Sequence, residues 1–404
     1  KDDLNLQDRI DKNSSLSVPK IIGDAQQRLE ADEKQAAEAA KETQKKLDEQ
    51  KKEEEKSKPV QVFESSGTQT GGGGGGGGAA SSKPAPEEIT LHGKIRSKDL
   101  KEALDKAKRV ILANGVELTV DEDVEIPAGK TVTMQSGATA TVETGKTMTV
   151  TGTMNMENGS SLTNNGKFAI NSTNSLHLGG TFTNMGGLYV GTEDNSKAGL
   201  LELNAGGNLI NSSHVNVYAG STLRNAGTID STGVIAVRDG ASLTNSGTIT
   251  LSGRLMNVGT IRNTAGTITL DPNTLDPNTR AVFQNGPEKP GDRTEGSFEN
   301  AGTLTIGFGC IFKNSGSFTN KGTCTNGGTF NHNGTGSNEK DFTNNGTFVC
   351  TAEFTNSGAF ENGANVLGES KIFAFKKEQD CRIESVRLLP EHPKALPEAV
   401  HAIE

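Results

Sequence analysis

The sequence predicts an all-β fold: a parallel right-handed β-helix (β-solenoid) with about 20 residues per coil, preceded by an N-terminal helix and a glycine-rich linker. Three observations lead to this prediction. A short unit of the form apolar-x-Asn-x-Gly-Thr-apolar recurs between residues 162 and 362. Apolar and polar residues alternate within and between the units. Only 32% of the 404 residues are hydrophobic, whereas an ordinary globular domain has about 45–50%.

The spacing of the repeated unit gives the length of a coil. Its asparagine falls at Asn164, Asn184, Asn225 and Asn245, so two of the three steps have equal length and the middle one is about twice as long. The long step is interpreted as two coils, with Asn204 in an imperfect unit between them. Further on, the asparagines of successive units lie much closer together in sequence. We therefore predict coils of about 20 residues in the first half and tighter or irregular coils in the second.

Each unit reads as a short strand followed by a corner. Alternating segments such as Thr248–Leu251 and Thr303–Ile306 are typical of a strand with one buried face. The Asn-x-Gly that follows tolerates left-handed backbone angles and predicts a tight corner. Stacked coils would share one apolar core, and equivalent asparagines would hydrogen-bond along the stack. The predicted ladder consists of Asn164, Asn184, Asn225, Asn245, Asn257, Asn300, Asn314, Asn344 and Asn356.

The N-terminal part of the chain differs in composition from the repeats. Residues 1–63 are predicted to form a helical or partly disordered anchor, because helix-forming residues dominate positions 19–57. The sevenfold spacing of Ile22, Leu29 and Ala36 indicates a thin coiled-coil seam, although a solvated single helix fits equally well. Residues 64–88, with consecutive glycines from Gly71 to Gly78, are predicted to be a flexible linker. The missing initiator methionine leads us to expect that an upstream segment is cleaved off.

A short helix is predicted between the linker and the repeats. Ser97 is the expected N-cap of a helix over residues 98–108, in which Leu100, Ala103 and Leu104 form an apolar stripe. Together with the first strands, it makes residues 89–134 a cap for the open end of the solenoid. The solenoid repeats then occupy residues 135–365, and residues 366–404 form a C-terminal cap or tail.

The run from Leu100 to Met134, a helix followed by Val-Ile-Leu-Ala-Asn-Gly and Val-Glu-Ile-Pro-Ala-Gly, resembles the entry of pectate-lyase-like single-stranded β-helices. The later Leu-x-Asn-x-Gly-Thr-Ile units are similar to coils of filamentous-haemagglutinin-type adhesins and of virus or phage fibres. The resemblance covers about residues 95–365 and implies the architecture. It does not choose among lyases, tailspikes, fibres and adhesins.

Two stretches interrupt the repeats, at residues 271–279 and 284–296, and both are rich in turn-forming residues. They are predicted to be loops that project from the stack. Loops on a solenoid are common recognition elements, but simple surface insertions are the plainer interpretation.

No catalytic, cofactor or metal site is predicted. The six histidines are isolated in sequence, and the cysteines Cys310, Cys324, Cys350 and Cys381 are expected to be free thiols rather than metal ligands. A glycan-cleaving solenoid needs paired carboxylates on one coil face. Those of the repeats are scattered at Glu202, Asp230, Asp239, Glu299, Asp341, Glu353 and Glu361.

These observations favour a structural fibre or spike appendage of a virion, with a helical anchor and a rigid solenoid body that aids surface attachment. The expected location is the virion surface, or an extracellular or cell surface. The alternatives are a glycan-binding adhesin of a cell surface, a polysaccharide depolymerase and a self-assembling filament. The chain is expected to form homo-oligomers, with a trimer favoured, and to bind a virion or surface partner through its anchor, with a host glycan as a further candidate. A net charge of −9 argues against nucleic acid. No apolar run is long enough to predict a membrane span.

Overall fold

Three parallel β-sheets wind around one apolar core and build a solenoid of about 13 turns. The computed structural model describes residues 86–173, 176–272, 280–287, 295–368 and 373–375. Strands are numbered in chain order, and each full coil contributes one strand to each sheet. The predicted anchor, the linker and most of the predicted C-terminal tail lie outside the described residues. The right-handedness of the coil stays a prediction.

Sheet A contains β1 (Glu88–Leu91), β3 (Arg109–Leu112), β6 (Thr131–Met134), β9 (Thr153–Met156), β12 (Leu176–Leu178), β15 (Leu200–Leu203), β18 (Thr222–Asn225), β21 (Ser242–Asn245), β24 (Thr260–Asn263), β27 (Ser297–Asn300), β30 (Ser317–Asn320), β33 (Thr335–Asn338), β36 (Phe354–Asn356) and β39 (Phe373–Phe375). Sheet B contains β2 (Lys94–Arg96), β4 (Glu117–Val120), β7 (Thr139–Val142), β10 (Ser161–Asn164), β13 (Thr181–Asn184), β16 (Asn208–Asn211), β19 (Thr228–Ser231), β22 (Thr248–Leu251), β25 (Thr267–Leu270), β28 (Thr303–Ile306), β31 (Thr323–Asn326), β34 (Asp341–Asn344) and β37 (Ala359–Asn362). Sheet C contains β5 (Val124–Ile126), β8 (Thr147–Val150), β11 (Lys167–Ile170), β14 (Gly187–Val190), β17 (His214–Val217), β20 (Val234–Val237), β23 (Arg254–Asn257), β26 (Val282–Asn285), β29 (Ile311–Asn314), β32 (Thr329–His332), β35 (Thr347–Cys350) and β38 (Asn365–Gly368).

The second and fourth residues of a four-residue strand point into the core, and the first and third face outward. In β21, for example, Leu243 and Asn245 are buried while Ser242 and Thr244 are half-exposed. Because neighbouring strands pair in parallel register, each inward position becomes a column along the stack. The inward apolar residues are mostly aliphatic up to Ile268, and most of the large ones are phenylalanine from Phe283 onward.

The coils are close to the predicted length, with insertions at a few corners. Equivalent residues are 20 apart between β18 and β21, and 18 apart between β30 and β33. From β30 onward the coils are therefore slightly tighter, in the predicted direction, because most of their strands follow one another with only two corner residues between them. Both predicted projecting loops fall in one enlarged coil and lie largely outside the described residues. The second begins later than predicted, since Gln284 and Asn285 belong to β26.

The helix α1 (Ser97–Lys106) closes the first coil. It follows β2 and stands where a strand of sheet C would otherwise precede β5. Leu100, Ala103 and Leu104 are buried, as the predicted apolar stripe requires. The N-cap is Arg96, not Ser97. The buried hydroxyl of Ser97 instead accepts the N–H groups of Asp121 and Glu122, each at 3.0 Å, and joins α1 to the next coil.

The Asn-x-Gly corners that follow the buried asparagines do not have the left-handed backbone predicted for them; among the units, the imperfect one at Asn204 does, with φ 91° at Gly206. Positive φ occurs instead at other corners, such as Gly240 with φ 70°. In the Asn-x-Gly unit the glycine is needed for close approach between coils. A Cβ on Gly247 would overlap the carbonyl oxygen of Gly227, which is the equivalent glycine one coil earlier. The physical requirement at these glycines is space between coils, not the sign of φ.

Candidate functional site

Buried asparagines form three separate columns, one at the end of each sheet's strands. The column in sheet A is the longest and runs unbroken through Asn225, Asn245, Asn263, Asn300, Asn320, Asn338 and Asn356. Sheet B has one run through Asn164, Asn184, Asn211 and Ser231, and a second through Asn326, Asn344 and Asn362. Sheet C has Asn257, Asn285, Asn314 and His332.

The Nδ2 of a column asparagine donates to the next member and to a backbone carbonyl, and inside a run its Oδ1 accepts from the member before it. Asn225 shows the arrangement at the beginning of a run. The Nδ2 of Asn225 donates to the Oδ1 of Asn245 at 2.8 Å and to the backbone carbonyl of Thr248 at 3.0 Å. Its own Oδ1 accepts the N–H of Gly227 at 3.1 Å. Such an amide would destabilise an apolar core unless its polar atoms were bonded. The Oδ1 of Asn164, the first member of its run, has no partner among the described residues.

The nine predicted ladder residues therefore belong to three columns rather than to one ladder. Asn164, Asn184 and Asn344 lie in sheet B, Asn257 and Asn314 lie in sheet C, and the other four lie in sheet A.

The interpretation of Asn204 as the missing member is wrong. Asn204 is an exposed corner residue, and Asn211 takes the place in the column. The intervening coil is longer, with a step of 27 residues from Asn184 to Asn211.

The column in sheet C ends in groups that are not asparagine. The Nδ2 of Asn314 donates to the Nδ1 of His332 at 3.1 Å, and the Nε2 of His332 donates to the carbonyl of Glu353 at 2.9 Å. This pattern requires a neutral imidazole, and burial holds the pKa of His332 below its ordinary value. The next position is Cys350. Burial raises the pKa of its thiol to about 12, which keeps the thiol protonated.

The predicted free thiols are confirmed for three of the four cysteines. Cys310, Cys324 and Cys350 are buried and free. Cys381 lies outside the described residues.

Charged side chains on the outside of sheet A pair across neighbouring coils. The Nδ1 of His177 lies 2.9 Å from a carboxylate oxygen of Glu202, and Arg224 approaches the other oxygen at 3.7 Å. Sequence reasoning treated all three as isolated, because each lies on a different coil and the coils between them differ in length. In the part of the chain that the structure describes, no group of three or more His, Cys, Asp or Glu residues could hold a metal ion.

An aromatic cluster lies on the outside of sheet C. Tyr189 occupies the third, outward position of β14, and Tyr218 directly follows β17 in the next coil. Their ring planes are parallel to within 5°, and the centroids are 6.4 Å apart. The pair is not apparent from the sequence, because the two residues are a full lengthened coil apart along the chain. Their rarity was the available signal, since the chain has only two tyrosines.

One comparison with known proteins gives a match. The family described as "Hyphally regulated cell wall protein N-terminal" matches residues 93–276, somewhat under half of the chain. The matched segment includes α1 and the coils up to β25. It is neither a pectate-lyase family nor a virus-fibre family. No curated protein and no solved structure matches the chain. No helix in the described ranges is long and apolar enough to cross a membrane.

Proposed function

We propose that this chain is a non-enzymatic, adhesin-like part of a cell wall protein, displayed at the cell surface. The observation that carries the proposal is the match of residues 93–276 to a cell wall protein family, which coincides with the capped beginning of the solenoid. A cell wall therefore takes the place of the virion in the sequence-based interpretation. Attachment, the alternative weighed there, becomes the main function.

The structure of the solenoid supports a mechanical role at a surface. Its core is continuous, and each coil is bonded to the next by backbone hydrogen bonds in three sheets. The outward positions carry many threonines, which give a flat polar exterior, as in β6 and β8. Such a body holds a binding surface away from its anchoring point without needing a deep pocket.

Attachment of coated microspheres tests the proposal. The full chain would be coupled to the spheres, which are then presented under flow to epithelial cells, to fungal cells and to bare polystyrene. We expect several-fold more retention than for spheres coated with albumin on at least one surface. A matched preparation carrying Phe330→Asp, which places a charge in the core, should lose this retention.

Retention no greater than that of albumin on all three surfaces would overturn the adhesive function. Release of reducing ends from cell wall polysaccharide by the soluble chain would instead support the depolymerase alternative. Antibody labelling of intact source cells tests the surface location separately.

A further inference from the structure

The two tyrosines form a preorganised surface. The hydroxyl of Tyr189 lies 2.8 Å from the Nε2 of His214, and the two groups form a hydrogen bond whose direction depends on the imidazole tautomer. Its ring lies across Gly187, where a Cβ would come within 2.8 Å of the tyrosine hydroxyl. The glycine thus makes room for the ring to lie against the strand. The Nζ of Lys167 lies 5.1 Å from the ring centroid, within range of a cation–π interaction.

Polar groups surround the pair of rings. Arg238 donates to the Oδ1 of Asn216 at 2.9 Å, next to Tyr218. On another side is the turn of residues 192–197, held by bonds from Ser196 to the carboxylate of Asp194. Burial and then the nearby carboxylate of Glu193 raise the pKa of Tyr218, so its phenol stays neutral. Cations and anions both lie close by, so the surroundings favour a neutral ligand rich in hydrogen-bonding groups.

We propose that this surface, defined by Tyr189, Tyr218, Lys167, His214, Asn216 and Arg238 and called the tyrosine platform, binds hexose units of a neutral glycan. A pyranose ring has one face of C–H groups and a rim of hydroxyls. Parallel tyrosine rings offer apolar area at low cost in side-chain entropy. The phenol hydroxyls and the charged groups at the rim supply donors and acceptors for the sugar hydroxyls, and the buried amide of Asn216 holds the Arg238 side chain beside them. The proposal rests on the adhesive function and names its ligand class and its site.

Two features favour a glycan over other partners. The platform lies on the outer face of a sheet, where an extended polymer can lie across several coils without entering a pocket. The net charge of −9 disfavours a nucleic acid, whose bases would also stack on tyrosine.

Tyrosine fluorescence reports directly on this site. The chain has no tryptophan, and its two tyrosines are both in the platform. The full chain would be titrated with mannohexaose, laminarihexaose, chitohexaose and maltohexaose, while tyrosine emission is recorded. We expect a saturable change for at least one of the four. If none of them changes the emission, and calorimetry also detects no binding, the proposal is overturned.

Variants locate the binding independently of fluorescence. By calorimetry, Tyr189→Ala and Tyr218→Ala should each weaken binding about tenfold or more, and Tyr189→Phe, which keeps the ring, should weaken it less. Phe308→Ala is the matched control, because Phe308 is an aromatic side chain that is 86% exposed at a distant corner. Circular dichroism verifies that each variant is folded. Unchanged affinity in both folded alanine variants would overturn the proposal.

The microsphere assay separates the two proposals. If the chain attaches to cells and the two alanine variants attach equally well, the adhesive function stands and the platform is not its site. If the chain binds a hexasaccharide through the platform but no coated sphere is retained, the platform stands and the adhesive function fails.

Discussion

At the scale of the residue, a buried asparagine depends on what occupies its position in the neighbouring coils. The column in sheet B shows both solutions, since it changes from asparagine to Leu251, Leu270 and Ile306 and then back to asparagine. Inside the amide runs the side chains bond to one another, and the apolar stretch between them packs through apolar contact; the Oδ1 of Asn164, at the beginning of its run, is the exception. A single apolar residue in the middle of an amide run would lower the free energy of unfolding, because it leaves the amides on both sides without a partner.

Replacing Asn245 by leucine creates that arrangement. Asn245 accepts from Asn225 at 2.8 Å and donates to Asn263 at 2.8 Å, so both neighbours lose a partner in the core. We expect the free energy of unfolding to fall by about 1–3 kcal/mol for each buried group left unpaired. Asn164→Leu is the control, because its Oδ1 is already without a partner among the described residues. Urea unfolding should show the larger loss for Asn245→Leu, and equal losses would contradict the account.

His332 gives the solenoid a predicted sensitivity to acid. Burial lowers its folded-state pKa below the ordinary 6.5, so the unfolded chain binds a proton first as the pH falls. Stability should therefore decline as the pH drops below about 6.5, and this contribution should stop changing below the folded-state pKa. Thermal unfolding at pH 7.5 and pH 5 measures the effect. His332→Asn, which continues the column without a titrating group, should show a smaller decline.

The sequence reveals the identity and burial of the column residues, but not which column each one joins. A coil contains three similar units, so a step of one whole coil marks a return to the same sheet, while a third or two thirds of a coil marks another sheet. This ambiguity placed Asn257 in one predicted ladder with Asn245, although the two belong to different sheets. It also hid Asn211, because the turn of residues 191–199 lengthens its coil.

At the scale of the element, α1 and the strands were predictable to different degrees. The apolar stripe of α1 was recognisable from helical periodicity alone. The role of Ser97 was not, because its partners Asp121 and Glu122 are 24 and 25 residues away. Sequence periodicity predicts which residues of one helix or strand share a face. The partner of a side chain that bridges two coils depends instead on the length of the coil between them.

The helix α1 should stabilise only the coils nearest to it. Leu100 is fully buried at the end of the core. Leu100→Ala should lower the free energy of unfolding by about 2–5 kcal/mol, because it leaves a cavity. Because each coil contacts only its neighbours, the loss should remain near the N-terminal coils. Hydrogen exchange should accelerate in β2 to β5 but not in β30 to β35. Lys98→Ala, at a side chain that is 82% exposed, should leave both regions unchanged.

At the scale of the whole molecule, a single chain closes its own core. The inward residues of all three sheets come from one polypeptide, so the low hydrophobic content does not require a second chain. The trimer expected from sequence then depends on the predicted helical segment, which lies outside the described residues.

Light scattering on two preparations tests whether the solenoid or the N-terminal segment is responsible for association. We expect residues 84–404 to have the mass of one chain, because the sheets leave no core uncovered along their described length. Full-length protein with the mass of three chains would assign assembly to residues 1–83. A trimer of the shorter preparation would show that the solenoid itself associates.

The direction of the bonds between coils also decides how the solenoid responds to force. The backbone bonds and the amide columns both point along the stack, so a pull on its two ends is carried by every boundary between coils, and the end coils should peel off one after another. Each released coil lengthens from about 4.8 Å to about 66–72 Å, given roughly 20 residues at about 3.3–3.6 Å each. A cell held through such a domain would be slowed by a series of small ruptures, and its attachment would yield gradually under shear rather than fail in a single break.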